Sequence, residues 1–266
     1  MTNELSHRRA RAANSPLARL REHLRFHLGL AYLGLECALW FPVATLLHLV
    51  LPARVGRRLG RRVIRAGFNR YLRWLSWIGA CHFDLEALDA LDGEAPLILV
   101  ANHPCLLDAP MILSRLGDVA CVMKTSLMHN PMFGGGARLA RYVRNEPPVG
   151  MVLSSVENLR EGSHLLLFPE ATRTARAPLN PFTPSTALIA QRAGVSVQTL
   201  IIETDSAFLS KGWWIFRQPP MPIHYRIRLG ARFDPPSDVA AFTRTLEAYF
   251  AEALAQAEMP PPVPPQ

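Results

Sequence analysis

The stretch Pro-Leu-Ile-Leu-Val-Ala-Asn-His-Pro-Cys-Leu-Leu-Asp, residues 96–108, has the pattern of a buried strand that ends in a polar turn. Its apolar half, residues 97–100, is typical of a strand covered on both faces of a sheet. Pro104 stops the strand from continuing, and Asp108 is suited to cap the helix that follows. We therefore expect a strand, a turn and the start of a helix within this stretch.

This turn predicts a pair of side chains with acid–base chemistry. Histidine ordinarily titrates near neutrality, so His103 is suited to take a proton from a hydroxyl group. Asp108 follows His103 by five residues, whereas neighbours on a helix face are three or four residues apart. Only a turn therefore lets the two side chains converge. A carboxylate on one ring nitrogen fixes the tautomer and leaves the other nitrogen as a base. Taken alone, the two residues fit equally well a structural role, with His103 as a polar strand-end residue and Asp108 as a plain helix cap. Cys105 is a candidate nucleophile, but we interpret it as a small apolar filler.

A second stretch repeats the arrangement. Residues 165–174 read Leu-Leu-Leu-Phe-Pro-Glu-Ala-Thr-Arg-Thr, again an apolar strand with a polar exit. Glu170 and Arg173 lie at that exit. Arginine offers a planar fork of donors that matches phosphate, whereas an exposed Glu–Arg pair would add little stability.

The rest of the chain alternates predicted strands and helices. This pattern predicts an α/β fold with a mixed, mostly parallel sheet flanked by helices, preceded by a membrane-associated helical segment. Residues 223–229 alternate in polarity, which indicates an antiparallel or edge strand. The other expected elements are helices over 154–160, 184–193 and 239–257 and strands over 164–168 and 195–203.

Together the two polar turns resemble the first and third motifs of the glycerolphosphate and lysophospholipid acyltransferase family, His-x-x-x-x-Asp and Phe-Pro-Glu-Gly-Thr-Arg-Ser. Lys124 is similar to the lysine that follows the family's first helix. Residues 134–145 are similar to its second motif, with Arg144 as the motif's arginine. The combined spacing makes the resemblance specific, although it covers only about residues 96–203.

The chain also departs from the family's pattern. Ala171 replaces the glycine of the third motif, which removes a backbone freedom. Residues 182–185 lack a lysine and a glycine that often follow that motif, and residues 195–200 lack both prolines of the fourth motif. These departures bear on the identity of the acceptor more than on the chemistry.

The resemblance implies an O-acyltransferase that acts on a lysophospholipid such as lysophosphatidic acid. His103 and Asp108 would be catalytic, and the acceptor would be bound by Lys124, Arg144, Glu170 and Arg173. The acyl donor would be a thioester of acyl carrier protein or coenzyme A, used as co-substrate, with no other cofactor and no metal. Two alternatives stay open: an acceptor from a specialised pathway, such as an ornithine lipid or polyene-type lipid, and a non-catalytic membrane-surface protein.

Charge and hydropathy point to a membrane partner. The first 73 residues contain 14 arginines and three acidic residues, whereas the remainder has 15 basic and 18 acidic residues. A basic region of this kind suggests an anionic membrane or nucleic acid. Residues 28–50 are nearly all apolar and long enough to span a bilayer, so membrane lipids are expected and nucleic acid is not.

The flanks of residues 28–50 suggest how the segment meets the membrane. Each flank carries six arginines, whereas a spanning helix normally keeps its positive excess on one side. We therefore expect a re-entrant segment bent near Pro42, with both flanks at the cytoplasmic face of the inner (cell) membrane. Glu36 is expected to find a protein partner or to stay near the interface. A single span is the alternative. Residues 63–78 fit a helix in the interface plane.

The expected division of the chain has four parts. These are a basic segment (1–27), membrane-embedded or interfacial helices (28–79), the acyltransferase domain (80–258) and a proline-rich tail (259–266).

Overall fold

A computed structural model describes residues 16–130 and 133–259 and contains a seven-stranded sheet. The strands are β1 Cys81–Asp84, β2 Ile98–Ala101, β3 Val119–Met123, β4 Val143–Arg144, β5 His164–Leu167, β6 Val197–Thr204 and β7 Ile223–Phe233. Their order across the sheet is β1-β7-β6-β2-β5-β3-β4. Among the described strands only β6 and β7 pair antiparallel, so the predicted mostly parallel α/β sheet is confirmed.

Helices cover both faces of this sheet. They are α1 Pro16–Val50, α2 Ala53–Trp77, a 3-10 helix Glu86–Leu91, α3 Asp108–Arg115, α4 Thr125–Met128, α5 Gly134–Leu139, α6 Pro148–Arg160, α7 Ser185–Ala193 and α8 Val239–Ala255. Successive strand residues point to opposite faces. Leu99 of β2 therefore joins the apolar cluster under α2 and α3, whereas Ile98 and Val100 join the cluster under α6, α7 and α8.

Strand β7 confirms the antiparallel alternative of its prediction. It pairs antiparallel with β6 and is not an edge strand, because β1 pairs along its other side. Its alternating polarity arises because two of its arginines are held by carboxylates of the neighbouring strands. Arg226 pairs with Asp84 of β1 at 2.8 Å, and Arg228 pairs with Glu203 of β6 at 2.5 Å.

The amino-terminal helices form an antiparallel pair, which corrects the prediction of a turn near Pro42. Helix α1 continues through Pro42 to Val50, and the chain reverses only at Leu51 and Pro52. A proline inside a helix removes one hydrogen bond without having to end the helix. The re-entrant turn predicted at Pro42 is therefore wrong. Glu36 does find a protein partner, because Arg70 of α2 donates to its carboxylate.

Aromatic stacking holds the two helices together. Tyr32 of α1 lies between Tyr71 and Trp74 of α2, with ring centroids 6.1 and 5.2 Å away. Farther along α1, the backbone oxygen of Phe41 lies so close to Gly135 of α5 that a Cβ added there would be 2.8 Å from it. The glycines of α5 thus allow close helix packing against α1.

The outer face of α1 is an apolar stripe. Its members are Leu17, Leu20, Leu24, Leu28, Leu35, Leu39, Val43, Leu46, Leu49 and Val50, each about half exposed or more. Among the described residues, one segment, Arg19–Val50, is long and apolar enough to cross a membrane, with a mean hydropathy of 1.7 and only 11% of its most apolar window buried. Such exposure is incompatible with a core helix.

Part of the predicted organisation lies beyond what the structure describes. The first fifteen residues of the basic segment and residues 260–266 of the tail are outside the described residues. The sheet begins at Cys81, and the division between residues 28–79 and 80–258 stays a prediction.

Candidate active site

The loop from β2 to α3 brings His103 and Asp108 together. The Nδ1 atom of His103 lies 2.7 Å from Oδ2 of Asp108, and the Asp108 side chain is fully buried. The predicted convergence is therefore confirmed. Asp108 is not the helix cap, however, because Leu107 occupies that position and makes no side-chain cap. The carboxylate points back into the loop instead, where it holds the imidazole.

Cys105 completes the surroundings of Asp108. Its backbone N–H donates to Oδ2 of Asp108 at 2.8 Å, and its thiol donates to Oδ1 at 3.1 Å. Burial raises the pKa of the Cys105 thiol well above its ordinary value, and the charge of Asp108 raises it further. The thiol is therefore a neutral donor rather than a nucleophile. The interpretation of Cys105 as a mere apolar filler missed this bond.

The ring of His103 is packed on one side and open on the other. It stacks on Phe168 with ring centroids 4.0 Å apart and an interplanar angle of 17°. The His103 side chain is 18% exposed, and its Nε2 atom has no hydrogen-bond partner among the described residues. With Nδ1–H directed at Asp108, Nε2 is left as the proton acceptor.

Glu170 fixes the backbone of His103. Its Oε1 atom accepts the N–H of His103 at 3.0 Å and the hydroxyl of Thr174 at 2.9 Å, and its Oε2 atom accepts the N–H of Asn180 at 2.8 Å. The N–H of Thr174 in turn donates to the carbonyl of His103 at 2.8 Å. The resemblance implies that Glu170 positions Arg173 or an acceptor hydroxyl. Glu170 does not contact Arg173, because the carboxylate is buried and directed toward the first loop.

Arg173 extends from the same loop toward a different segment. Its Nη1 atom donates to the carbonyls of Leu209 and Ser210 at 2.8 and 2.7 Å. Burial lowers the pKa of Arg173, and the nearby charge of Asp108 opposes that effect. The guanidinium stays charged in either case. Its Nε and Nη2 atoms have no partner in the described part of the chain and are available to an anion.

Lys124 and Arg144 lie along the same edge of the sheet without touching the other four site residues. Lys124 directly follows β3 and Arg144 ends β4, and both are exposed. Because β2, β5, β3 and β4 run parallel, all of these side chains leave from carboxyl ends of strands. At roughly 5 Å per strand, β4 lies about 14 Å from β2.

Three contributors to the site were not predicted. Thr174 and Asn180 complete the hydrogen bonds of Glu170, and Phe168 supplies the surface beneath His103. Phe168 and Thr174 lie inside the third motif, so the extent of the motif could have indicated both as site residues. Asn180 lies in an irregular segment with no such signal, and its role depends on how that loop folds back.

Comparison with known proteins adds to this geometry. Residues 82–203 match the family model described as Acyltransferase. A 1-acyl-sn-glycerol-3-phosphate acyltransferase of Pseudomonas aeruginosa is 22% identical over 233 residues, covering 84% of this chain and 88% of that protein. A lyso-ornithine lipid O-acyltransferase of the same species is 30% identical over 195 residues, covering 70% of each chain.

The fold is also similar to that of a solved structure. The crystal structure of the 1-acyl-sn-glycerophosphate (LPA) acyltransferase PlsC from Thermotoga maritima superposes with a TM-score of 0.64 at 20% identity. The match covers 91% of this chain and 98% of that one. At this identity the likeness establishes the fold alone.

Proposed function

This chain belongs to the glycerolphosphate and lysophospholipid acyltransferase family and is an acyltransferase; we propose that it acylates a lysophospholipid such as lysophosphatidic acid. The observation that carries this proposal is the buried Asp108 carboxylate, which lies 2.7 Å from Nδ1 of the partly exposed His103. The donor is a fatty acyl thioester of acyl carrier protein or coenzyme A.

In the proposed mechanism His103 is the general base. Its Nε2 atom takes the proton of the acceptor hydroxyl while that oxygen bonds to the thioester carbonyl carbon. The carbon–sulfur bond then breaks, and the leaving thiolate takes the proton back from Nε2. Asp108 holds Nδ1–H and stabilises the imidazolium that forms between the two transfers. No covalent bond to the protein is required.

The cationic side chains at this edge are suited to the acceptor's phosphate. Arg173 has two uncommitted nitrogens close to the His–Asp pair, and Lys124 and Arg144 continue the positive charge along the edge of the sheet. Arginine binds phosphate through two parallel bonds. Glu170 acts on the reaction through the backbone of His103 rather than through the acceptor.

The helix pair supports binding to one face of the membrane rather than crossing it. Helix α2 runs antiparallel along α1 and carries eight arginines. If α1 spanned the bilayer, α2 would take those arginines into the hydrocarbon, at a high desolvation cost. Insertion of the apolar stripe of α1 into the cytoplasmic leaflet of the inner membrane avoids this cost.

A labelling experiment tests this topology. Ala53 is exposed at the reversal between the two helices, so a cysteine introduced there, in a Cys37→Ala background, should react with an impermeant maleimide only after lysis. A cysteine at exposed Ser237 of the sheet domain is the matched control. Labelling of the Ala53 position in intact cells would mean that the helix pair crosses the membrane.

A second acceptor class is favoured by a specific observation. One relative, 30% identical over 195 residues, is a lyso-ornithine lipid O-acyltransferase. The missing lysine and glycine in residues 182–185 are consistent with a changed acceptor. An ornithine-bearing lysolipid is therefore the second candidate acceptor.

The two acceptors are separated by a direct assay. Purified protein in detergent is given a radiolabelled acyl thioester with either lysophosphatidic acid or lyso-ornithine lipid. Product from lysophosphatidic acid is expected. Product from lyso-ornithine lipid alone would establish the second candidate, and His103→Ala is the blank for both.

A further inference from the structure

A groove of about 930 Å³ lies between α2 and the end of α3, away from the acyl-transfer site. Asp118, on its wall, directly precedes β3, and Arg61 on α2 joins Asp118 to Ser163, which directly precedes β5. The groove therefore lies at the amino ends of the strands, whereas His103 follows the carboxyl end of β2. The two sites occupy opposite edges of the sheet.

The groove is strongly cationic. Seven arginines line it, against two aspartates. Both aspartates are already paired, Asp89 with Arg115 and Asp118 with Arg61, and a third arginine, Arg70, is paired with Glu36 outside the groove. The other four arginines have no hydrogen bond or ion pair with any described residue. They are Arg58, Arg62, Arg65 and Arg73.

These four unpaired arginines form a line. Successive members are four, three and eight residues apart, so they project from one face of α2. From Arg58 to Arg73 the helix rises about 22 Å. Arg65 extends across the groove, because a Cβ added to Gly117 would lie 3.1 Å from its Nη1. A line of this length exceeds a single phosphate and matches an extended anionic surface.

An aromatic band, formed by Tyr32, Trp74 and Trp77, lies between the apolar stripe of α1 and this line of arginines. Tyr32 stacks on Trp74, and Trp74 contacts Trp77 with ring centroids 5.1 Å apart. Trp77 is 77% exposed, and tryptophan is a favoured residue at membrane interfaces. Arg70 donates to the Tyr32 hydroxyl at 3.1 Å. Apolar, aromatic and cationic side chains thus follow one another across the helix pair, in the order of hydrocarbon, interface and headgroup.

We propose that this groove is a second lipid site, which binds the headgroup phosphates of anionic phospholipids and orients the enzyme on the membrane. The proposal rests on the membrane association in the proposed function. An acidic carrier protein fits less well, because a donor docked here would lie across the sheet from His103. A purely acidic protein surface would also offer no apolar contact to the neighbouring aromatic and apolar side chains.

The experiment compares two triple variants of the full chain. The groove variant R58Q/R62Q/R73Q changes three exposed arginines of the line, and the control variant R160Q/R192Q/R244Q removes the same charge from exposed positions elsewhere. Flotation measures binding to phosphatidylcholine vesicles with and without 30% phosphatidylglycerol. Each arginine near an anionic surface contributes about fivefold in binding, so the groove variant should lose about 100-fold on phosphatidylglycerol vesicles.

Binding to pure phosphatidylcholine should be unchanged in both variants, and wild-type binding to phosphatidylglycerol should weaken as salt is added. An equal loss in the two variants would reduce the effect to net charge and overturn the proposal. The proposal would also be overturned if the groove variant bound lipid as well as wild type does. This holds even if that variant lost turnover with acyl carrier protein. Acyl transfer by wild type in detergent micelles reports on the proposed function separately.

Discussion

The backbone N–H of His103 donates to Oε1 of Glu170 at 3.0 Å, across a separation of 67 residues. A carboxylate from the turn after β5 therefore holds the candidate base in the turn after β2. The same carboxylate accepts bonds from Thr174 and Asn180, so one buried side chain joins three loop segments. Because this carboxylate is buried and each of its oxygens accepts a hydrogen bond, it holds the two loops together.

The His–Asp pair gives the first prediction. His103→Ala should reduce kcat by roughly 10²- to 10⁴-fold, because a positioned base contributes that much. Asp108→Asn should also be severe, since the amide can favour the wrong imidazole tautomer. Steady-state acyl transfer measures both, with vesicle binding and melting temperature as controls. Near-normal turnover in His103→Ala would exclude it as the base.

The Glu170 anchor gives the second prediction. All of its partners are donors, so Glu170→Gln places an amide NH₂ against at least one of them and should cost about 1–3 kcal/mol of stability. The turnover number should fall with it, because the His103 loop is no longer held. Thr183→Ala, which removes a hydroxyl bonded to the Pro169 carbonyl, is a control in the same loop and should reduce turnover less.

The same variant predicts a pH dependence. Burial raises the pKa of Glu170 above its ordinary value of 4.5, so the folded protein holds this proton more tightly than the unfolded chain. Wild type should therefore gain stability relative to Glu170→Gln as the pH falls from the raised pKa to about 4.5, and the difference should be constant above that window. Melting temperatures from about pH 4 to 8 measure it. The opposite slope would mean that the donors outweigh the burial.

Cys105 gives a third prediction, as a positioning residue. Cys105→Ala removes the thiol donor to Asp108 and should lower kcat about tenfold, since bonds to charged groups contribute about 1.5–3 kcal/mol. Cys105→Ser restores a donor and should recover most of the loss. An equally low kcat in the alanine and serine variants would reduce the role of Cys105 to packing.

Arg173 gives the fourth prediction. Arg173→Ala should raise the KM for a phosphate-bearing acceptor by roughly 10- to 100-fold, as expected for lost charge-assisted bonds. Arg173→Lys should recover only part, because an ammonium cannot bond both phosphate and the Leu209 and Ser210 carbonyls as a fork does. Arg176→Ala, an exposed arginine of the same loop, is the matched control. Equal losses for acceptors with and without phosphate would point to a structural role.

Ala171 gives the fifth prediction. It adopts a φ of 55°, a left-handed conformation that costs a residue with a Cβ about 1 kcal/mol. Ala171→Gly should therefore raise the free energy of unfolding by up to about 1 kcal/mol. Thermal unfolding in detergent measures the change, with Ala175→Gly in the same loop as the control. A lower melting temperature would show that loop entropy outweighs the strain.

Local patterns in the sequence determined much of this protein. The apolar runs before His103 and Glu170 specified buried parallel strands, because only a strand covered on both faces requires such a run. Proline and aspartate after the first run specified the turn that joins His103 to Asp108. The apolar length of α1 between arginines specified a long helix with an exposed apolar stripe. Each of these features depends on residues close together in the chain.

Tertiary structure alone decided which groups meet across long separations. Glu170 bonds His103 rather than Arg173, Cys105 supports Asp108, and α1 passes through Pro42 because its packing against α2 and α5 offsets one missing hydrogen bond. Strand β4 has only two residues, too few for a sequence pattern, and forms because β3 satisfies its backbone groups. Partner choice depends on burial and geometry in the assembled fold, which no local pattern encodes.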